Sequence, residues 1–271
     1  MSQARFLLRK LLVYAAAIMI CAWILIPIVL IFMSAFADPH DYYDIKKVIP
    51  TNFTIENVKD LLITLGEWRA VLNSLVVALL TIAISFPIGL PAGYALAKYF
   101  FPGRDFFRLL IIGLRMFPVM VIGIPLATLY IRIGLSDTPV GVAIAHASLA
   151  LPFVILITSS VFASIPRDYE EAGLIFGLSG FGVFSRITLP LALPGLAAAA
   201  IFVFVLSWNE VFVATILTLM NRTLPADVLV SVLEAPDPYK FAAAFIMILP
   251  AMAFVFIARR YLVTMWGIRL R

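Results

Sequence analysis

The sequence has 271 residues, of which 63% are hydrophobic and 13% charged, and this composition excludes an ordinary soluble globular domain. Its net charge of +5 does not indicate a nucleic-acid partner, because the basic residues stand at the ends of apolar segments, which is typical of membrane topology. Cys21 is the only cysteine, which excludes an internal disulfide and a multi-cysteine metal site, and His40 and His146 lie too far apart in sequence to suggest a metal cluster.

Apolar segments long enough to cross a bilayer, which takes about 20 residues, dominate the chain. We predict an all-α polytopic membrane protein in which residues 1–271 form a single transmembrane domain. Prolines inside several segments are expected to kink the helices rather than end them. The six predicted spans are 11–36, 70–97, 109–131, 140–162, 195–219 and 241–263.

The first apolar segment follows Arg5, Arg9 and Lys10, and Ala35-Phe36-Ala37 closes it in the manner of a signal peptide. Its apolar core of about 26 residues is longer than the 7–15 residues of a cleavable signal, so an uncleaved first helix is the better interpretation. In the polar stretch 38–69, Thr54 is expected to cap a short helix that ends at Gly66.

The distribution of charge predicts the orientation of the spans. With both termini and the loops 98–108 and 164–190 on one side, that side carries twelve basic and four acidic residues, whereas the opposite side carries seven basic and ten acidic residues. Because Lys and Arg collect on the cytoplasmic side, we expect both termini and these two loops to face the cytoplasm.

The loop 164–190 is predicted to form two short helices separated by a bend. Pro166 suits the first turn of a helix, and Gly177 is a suitable stop. Ser179 can cap the second helix, and Pro190 is expected to end it.

The same loop resembles the EAA loop of ABC-importer permeases, whose pattern is Glu-Ala-Ala-x3-Gly-x9-Ile-x-Leu-Pro. The matching positions are Glu171-Ala172-Gly173, Gly177 and Ile187-Thr188-Leu189-Pro190. The sequence departs from the pattern at Gly173, where the family has Ala, and at Phe176, where an Asp commonly precedes the Gly. An ordinary interfacial loop between two membrane helices is the alternative interpretation.

Further motifs extend the resemblance to carbohydrate-importer permeases of the maltose type. They are Asn73-Ser74-Leu75, Gly93-Tyr94-Ala95-Leu96-Ala97, Phe101-Pro102-Gly103-Arg104, Arg115-Met116-Phe117-Pro118, Ser207-Trp208-Asn209-Glu210 and Thr223-Leu224-Pro225. The short basic tail 265–271 departs from the Gly/Ala-rich ending of many members, which leaves any tail contact with an ATPase in doubt.

The resemblance implies a division of labour among subunits. An extracytoplasmic binding protein delivers a sugar, a second permease subunit completes the path through the bilayer, and two cytoplasmic ATP-binding subunits bind ATP and Mg. The sequence contains no Gly-x4-Gly-Lys-Ser/Thr loop, so we expect this chain to be no enzyme and to bind no cofactor itself.

The resemblance also implies a coupling helix over about residues 179–188 that inserts into an ATPase subunit. Glu171 and Gly177 would hold it, and the side chains of Phe181, Val183, Phe184 and Ile187 would fill a groove on the partner. The full set of expected coupling residues is Glu171, Ala172, Gly173, Gly177, Phe181, Val183, Phe184, Ile187, Leu189 and Pro190.

Charged side chains inside predicted spans are candidates for the solute path, because burying charge in a bilayer is costly. Glu210, with Asn209 and Trp208, offers polar groups and an aromatic face suited to a sugar, although a structural polar pair is an equal alternative. Arg115 either lines the path or reaches back to the membrane surface. His146 is a weaker candidate for the path.

Other classes of protein fit the sequence less well. An ion-coupled secondary transporter predicts inverted repeats or several intramembrane carboxylates, whereas Glu210 is the one carboxylate in a predicted span. A membrane-embedded enzyme predicts paired His or Asp side chains, which the spans lack. An ABC permease for amino acids or peptides remains the alternative within the same family.

Overall fold

A computed structural model describes residues 3–44, 47 and 49–265, and helices make up most of them. The short helices α3 and α9 each continue into a π-helical turn, at Asp60–Thr64 and Phe184–Thr188, and a 3₁₀ turn covers Val232–Glu234. The helices are α1 Gln3–Ala35, α2 Pro39–Tyr42, α3 Glu56–Lys59, α4 Trp68–Lys98, α5 Arg104–Leu114, α6 Val119–Arg132, α7 Pro139–Ala163, α8 Arg167–Ile175, α9 Gly180–Val183, α10 Leu189–Trp208, α11 Phe212–Leu217, α12 Leu224–Val230 and α13 Asp237–Met265.

The chain divides into two compact units, the first of which comprises Met1–Glu67 and Ser231–Ile248. Here Phe32, Phe36 and Phe245 form an aromatic cluster with ring centroids 4.8–5.6 Å apart. Asn57, on the short helix that was expected after Thr54, donates its amide to the carbonyl oxygens of Ala35 and Ala37 at 3.1 and 2.8 Å. The polar stretch is thereby fastened to the end of α1.

A carboxylate organises the rest of this polar stretch. Asp41 pairs with Lys47 and accepts hydrogen bonds from the backbone N–H groups of Thr51 and Asn52, both at 2.8 Å. The Lys47 ammonium and these donors hold the pKa of Asp41 well below its usual range. One ionised side chain therefore links α2 to Thr51 and Asn52.

The second unit comprises Trp68–Val230 and Leu249–Arg271. The long helices α4, α7 and α10 pack together in it, with small residues such as Ala78, Ala143 and Ala199 fully buried between them. Because these helices are apolar around most of their circumference, the exposed sides suit a lipid environment.

Four described helices are long and apolar enough to cross a membrane: Arg9–Ala35 within α1, α4, α7, and the continuous helix Gly180–Trp208. The third predicted span, 109–131, is not one straight helix. It is divided into α5 and α6, which meet at 87°. The break falls at Pro118, whose backbone is extended. The helix is interrupted here because proline lacks the N–H that would continue it and restricts the backbone conformation of the residue before it.

The fifth predicted span, 195–219, also does not form one continuous helix. The helix begins at Gly180 and ends at Trp208, and α11 follows as a separate short helix. Asn209 closes α10, and Glu210 accepts backbone N–H bonds from α11, so the polar residues of this motif mark a helix boundary rather than the middle of a span. The sixth predicted span, 241–263, lies within α13.

Candidate functional site

The loop between α7 and α10 begins with α8, which follows directly after Pro166. Gly177 ends this helix with a φ of +84°, a conformation that side chains with a Cβ rarely adopt. The N–H of Leu178 bonds to the carbonyl of Gly173, and the N–H of Gly177 bonds to that of Leu174, both at 3.0 Å. This pattern is a Schellman motif, which confirms the predicted stop at Gly177.

The second part of the loop begins at Ser179, whose hydroxyl accepts a hydrogen bond from the N–H of Gly182 at 3.2 Å, as expected of a helix cap. The expectation that Pro190 ends this helix is wrong, because α9 continues through the π-helical turn Phe184–Thr188 into α10. The N–H of Leu189 bonds to the carbonyl of Phe184, five residues earlier. The π-helical turn directly precedes Pro190. Because proline has no N–H to donate to the carbonyl four residues earlier, the regular α-helical hydrogen-bond pattern could not continue through this position.

Gly173 lies where α8 crosses the π-helical turn. It is buried, and a Cβ placed on it would overlap with the Cδ1 atom of Ile187 and lie 3.1 Å from Cγ2 of Val183. An Ala at this position would therefore require the Ile187 side chain to shift.

Several side chains expected to face a partner instead face inward. Val183 is 2% exposed, and Phe184 packs against Tyr94 and Phe162 with ring centroids 4.8 and 6.0 Å apart. Thr188 is buried, and Leu189 packs against the cluster around Phe162. The expectation that Val183 and Phe184 project toward an ATPase is wrong, because the apolar face of the helix is used for packing within the chain.

The exposed apolar surface of the loop is formed by a different set of residues, which we call the loop edge. It consists of Leu174, Ile175, Phe176 and Phe181, which are 54%, 83%, 87% and 78% exposed. Phe181 was expected here, whereas the other three, which follow the Glu171-Ala172-Gly173 motif at the end of α8, were not predicted to contact a partner. Glu171 and Ala172 are exposed beside them.

A polar cluster fastens the loop to the end of α4. The ammonium of Lys98 lies 3.3 Å from the carboxylate of Glu170 and donates to the carbonyl of Ile165 at 2.7 Å. The hydroxyl of Thr188 donates to the same carboxylate at 2.9 Å, and Arg167 donates to the carbonyl of Lys98 at 3.0 Å. Sequence reasoning missed this cluster; the available signal was a lysine and a glutamate at the ends of neighbouring apolar segments.

A cavity of about 640 Å³ opens beside the break between α5 and α6. Arg115 stands at the break, with its guanidinium 3.7 Å from the ring centroid of Phe153. Two candidate residues for the path, Arg115 and Glu210, therefore line the same space. The lining is Leu114, Arg115, Phe117, Val119, Ile122, Ser148, Leu149, Pro152, Phe153, Leu206 and Glu210.

Glu210 is held from two directions. Its carboxylate accepts the backbone N–H groups of Val213 and Ala214 at 2.9 and 3.1 Å, so it caps α11. Its Oε2 also lies 3.0 Å from Nε2 of His146, a fully buried side chain whose Nδ1 is 2.9 Å from the Ser207 hydroxyl. With the carboxylate ionised, Nε2–H donates to Glu210, and Nδ1 accepts from Ser207. His146 thus orients Glu210.

Trp208 does not offer an aromatic face to the cavity. Its side chain is fully buried and stacks on Phe204, with ring centroids 5.8 Å apart and the rings within 10° of parallel. Asn209 is exposed, and its amide donates to the carbonyl of Val205 within its own helix. Of the motif Ser207-Trp208-Asn209-Glu210, only the glutamate lines the cavity.

Comparison with known proteins agrees with these features. The family described as the binding-protein-dependent transport system inner membrane component matches residues 85–265. The trehalose transport system permease protein SugB of Mycobacterium tuberculosis is 32% identical over 254 residues, which cover 90% of this chain and 91% of that protein. The alpha-glucoside transport system permease protein AglG of Rhizobium meliloti is 37% identical over 172 residues, covering 62% and 45%.

A solved structure has the same fold. The crystal structure of a bacterial ABC transporter involved in the import of the acidic polysaccharide alginate superposes with a TM-score of 0.79 over 96% of this chain and 98% of that chain, at 20% identity. The family match covers well over half of the sequence, and the loop, its caps and the bundle of long apolar helices agree with it. The chain therefore belongs to the family of binding-protein-dependent transport system inner membrane components.

Proposed function

We propose that this chain is a permease subunit of an ATP-driven importer for a sugar or a polyol. The observation that carries the proposal is the loop between α7 and α10, whose capped, close-packed helices present the loop edge to a partner. Exposed apolar side chains on a polar loop need a partner surface to cover them. The names of the relatives, a trehalose permease and an alpha-glucoside permease, support a carbohydrate as the solute.

We infer that both termini and this loop face the cytoplasm and that the chain crosses the inner membrane six times. The excess of basic residues on that side supports this orientation. The third crossing uses α5 and α6 as one broken span. The partners are two cytoplasmic ATP-binding subunits, a second permease subunit and an extracytoplasmic binding protein.

The mechanism is a transfer of free energy through the loop. ATP binding draws the two ATPase subunits together, and one of them carries the loop edge of this chain docked in its surface. The spans have two arrangements. ATP can favour one of them only by as much as its interactions with the complex are stronger in that arrangement than in the other. Because α8 and α9 pack on the π-helical turn, which continues directly into α10, movement of the loop passes to that helix as a rigid body.

The solute path passes the cavity beside the break between α5 and α6. Arg115 and Glu210 supply a hydrogen-bond donor and an acceptor for hydroxyl groups, and Phe117 and Phe153 supply apolar surfaces for a sugar ring. The cavity of about 640 Å³ is in the range of small-molecule sites. His146 acts through Glu210 and does not itself line this space.

The test is purification of the intact complex through an affinity tag on this chain, followed by reconstitution in nanodiscs. We expect ATP-binding subunits and a second permease to co-purify, and hydrolysis of MgATP to rise when the binding protein is added with trehalose or maltose. Methionine is the comparison solute. Stimulation by methionine alone would refute the carbohydrate assignment, and absence of any ATPase from the complex would refute the importer.

A further inference from the structure

The polar cluster at the end of α4 has a feature that the coupling role of the loop does not require. A loop docked on an ATPase needs a firm connection to α10, which follows it in the chain and which the π-helical turn already provides. Glu170 and Lys98 add a second connection, to a helix that lies about 70 residues earlier in the sequence.

The ion pair is nearly buried, and each of its charges has a further hydrogen-bond partner. The side chains of Lys98 and Glu170 are 6% and 12% exposed, and the carboxylate also accepts the hydroxyl of Thr188 while the ammonium donates to the carbonyl of Ile165. Burying two charges gains little net stability compared with an apolar contact of the same size. What such a pair provides is geometry, because either charge left alone in that position is strongly unfavourable.

The helix that receives this connection contacts other parts of the second unit along its whole length. Near its middle, the Thr81 hydroxyl lies 3.3 Å from that of Ser207, which in turn contacts His146 behind the cavity. At its far end, Asn73 and Ser74 bond to the segment that precedes α12. A displacement of the Lys98 end therefore reaches the cavity and the opposite side of the bundle through one continuous helix.

We propose that Glu170 is a positioning residue that, through Lys98, makes α4 move together with the loop when the ATPase subunits close. This inference rests on the proposed function and assigns to Glu170, rather than to its exposed neighbour Glu171, the electrostatic link between the loop and the spans. Thr188 fixes the carboxylate in the orientation that faces Lys98. Movement of the loop then drives two helices, α4 and α10, in place of one.

The test uses four variants in the intact complex. Glu170→Gln keeps the shape of the side chain and the acceptor for Thr188 but removes the charge. Lys98→Met removes the partner charge, whereas Lys98→Arg retains it and is the conservative rescue. Asp168→Asn removes an exposed carboxylate of the same helix, α8, that is not among the expected coupling residues, and is the matched control.

The first readout needs no solute. Amide hydrogen exchange over residues 176–188 reports how firmly the loop is held, and we expect at least about tenfold faster exchange in Glu170→Gln and Lys98→Met, because one charge of a buried pair is left alone. Lys98→Arg and Asp168→Asn should exchange as the unchanged protein does. Equal protection in all four variants would overturn the proposal.

The second readout separates positioning from simple loss of structure. Hydrolysis of MgATP by the complex is measured with and without the binding protein loaded with trehalose or maltose. We expect Glu170→Gln and Lys98→Met to retain their ATPase subunits and their basal hydrolysis, but to lose most of the stimulation. A stimulation equal to that of Asp168→Asn would also overturn the proposal, whereas loss of the ATPase subunits from every variant, including the control, would count against the proposed function instead.

Discussion

The hydroxyl of Ser74 accepts a hydrogen bond of 2.7 Å from the N–H of Leu224, although 150 residues separate them in sequence. The neighbouring Asn73 donates its amide to the carbonyl of Arg222 at 3.1 Å. Two motifs that appear independent in the sequence, Asn73-Ser74-Leu75 and Thr223-Leu224-Pro225, are therefore the two sides of one contact. This contact fixes the start of α12 against the start of α4.

Removing this contact should release the segment before α12. Leu224 is fully buried, so Ser74→Ala leaves a buried N–H without its acceptor, which costs about 1–3 kcal/mol. We expect amide exchange at residues 222–226 to rise at least about tenfold. Thr128→Ala, which removes an exposed hydroxyl bonded only within α6, is the control and should leave these amides unchanged. Unchanged protection in Ser74→Ala would show that the contact does not hold the segment.

The loop edge should determine association with the ATPase subunits. Phe176→Ser and Phe181→Ser each remove an exposed ring that a partner surface would bury, and burial of one such side chain is worth about 1.5–3 kcal/mol. We expect the affinity for the ATPase to fall at least about tenfold, measured by co-purification at graded salt or by light scattering of the complex. Phe106→Ser changes a 64% exposed ring in a different helix and should leave association intact.

The same experiment can contradict the assignment of the loop edge. Val183→Ser alters a buried residue, so it should lower the stability of the loop rather than remove a partner contact. If Val183→Ser weakens association while both phenylalanine variants bind normally, the docking surface lies elsewhere on the chain.

Much of the loop follows from its sequence, because caps and stops are local. Ser179 and Gly177 act through residues within five positions, so their roles could be predicted correctly. The orientation of the helix face could not, because Phe184 packs inward against Tyr94 and Phe162, which come from distant helices. Long-range packing decided which apolar side chains remain exposed.

The cavity shows the same division between local and long-range information. Arg115 and Glu210 were recognised as costly charges in apolar surroundings, and the structure brings both to one space. The break at Pro118 and the helix boundary at Asn209 were missed, since long hydrophobic stretches suggest continuous helices whether or not a cap interrupts them. His146 was taken as a weak candidate for the path, whereas its role as a hydrogen-bond partner depends on the folded contact.

The segment after α11 should loosen in acid through Asp137. One oxygen of this carboxylate accepts the N–H groups of Leu219, Met220 and Asn221 at 2.9–3.0 Å. Burial raises the pKa of Asp137, but these three donors and nearby Arg222 outweigh it and hold the pKa below its usual value.

A lowered pKa in the folded protein means that the carboxylate stabilises the fold above the pKa of the unfolded chain, about 3.9, and that this contribution is lost as the pH falls through the lower folded value. We therefore expect amide protection at residues 219–221 to be constant near neutral pH and to decline once the pH falls below about 4. Asp137→Asn retains an acceptor without a charge, so its protection should be lower at neutral pH and should not change on acidification over the same range. If the variant loses amide protection below about pH 4 in the same way as the unchanged protein, Asp137 is not the titrating group.

Gly173 and Ile187 should show strong coupling in a double-mutant cycle. Gly173→Ala favours the helix by about 1 kcal/mol but overlaps with Cδ1 of Ile187, and overpacking of this kind costs about 1–3 kcal/mol. Ile187→Val removes Cδ1 and alone costs about 0.5–1.5 kcal/mol. The double variant should therefore be more stable than the sum of the single changes by about 1 kcal/mol or more, measured as the free energy of loop opening from amide exchange. Additive changes would show that α8 and the π-helical turn are farther apart than the structure has them.

Glu210 should affect both the stability of α11 and the passage of solute, and the two effects can be separated. Glu210→Gln retains one oxygen to cap α11 but removes the charge and places an amide against the N–H of His146, so we expect a loss of about 1–2 kcal/mol in stability together with reduced transport. His146→Leu removes the partner and leaves the carboxylate in the cavity without its orienting group.

Thermal unfolding followed by tryptophan fluorescence reports the effect on stability, because Trp208 is buried beside this cluster. Uptake of trehalose or maltose by proteoliposomes that contain the complex reports the effect on the passage of solute. If both variants transport normally while unfolding at lower temperature, Glu210 serves only as a helix cap and the solute passes elsewhere.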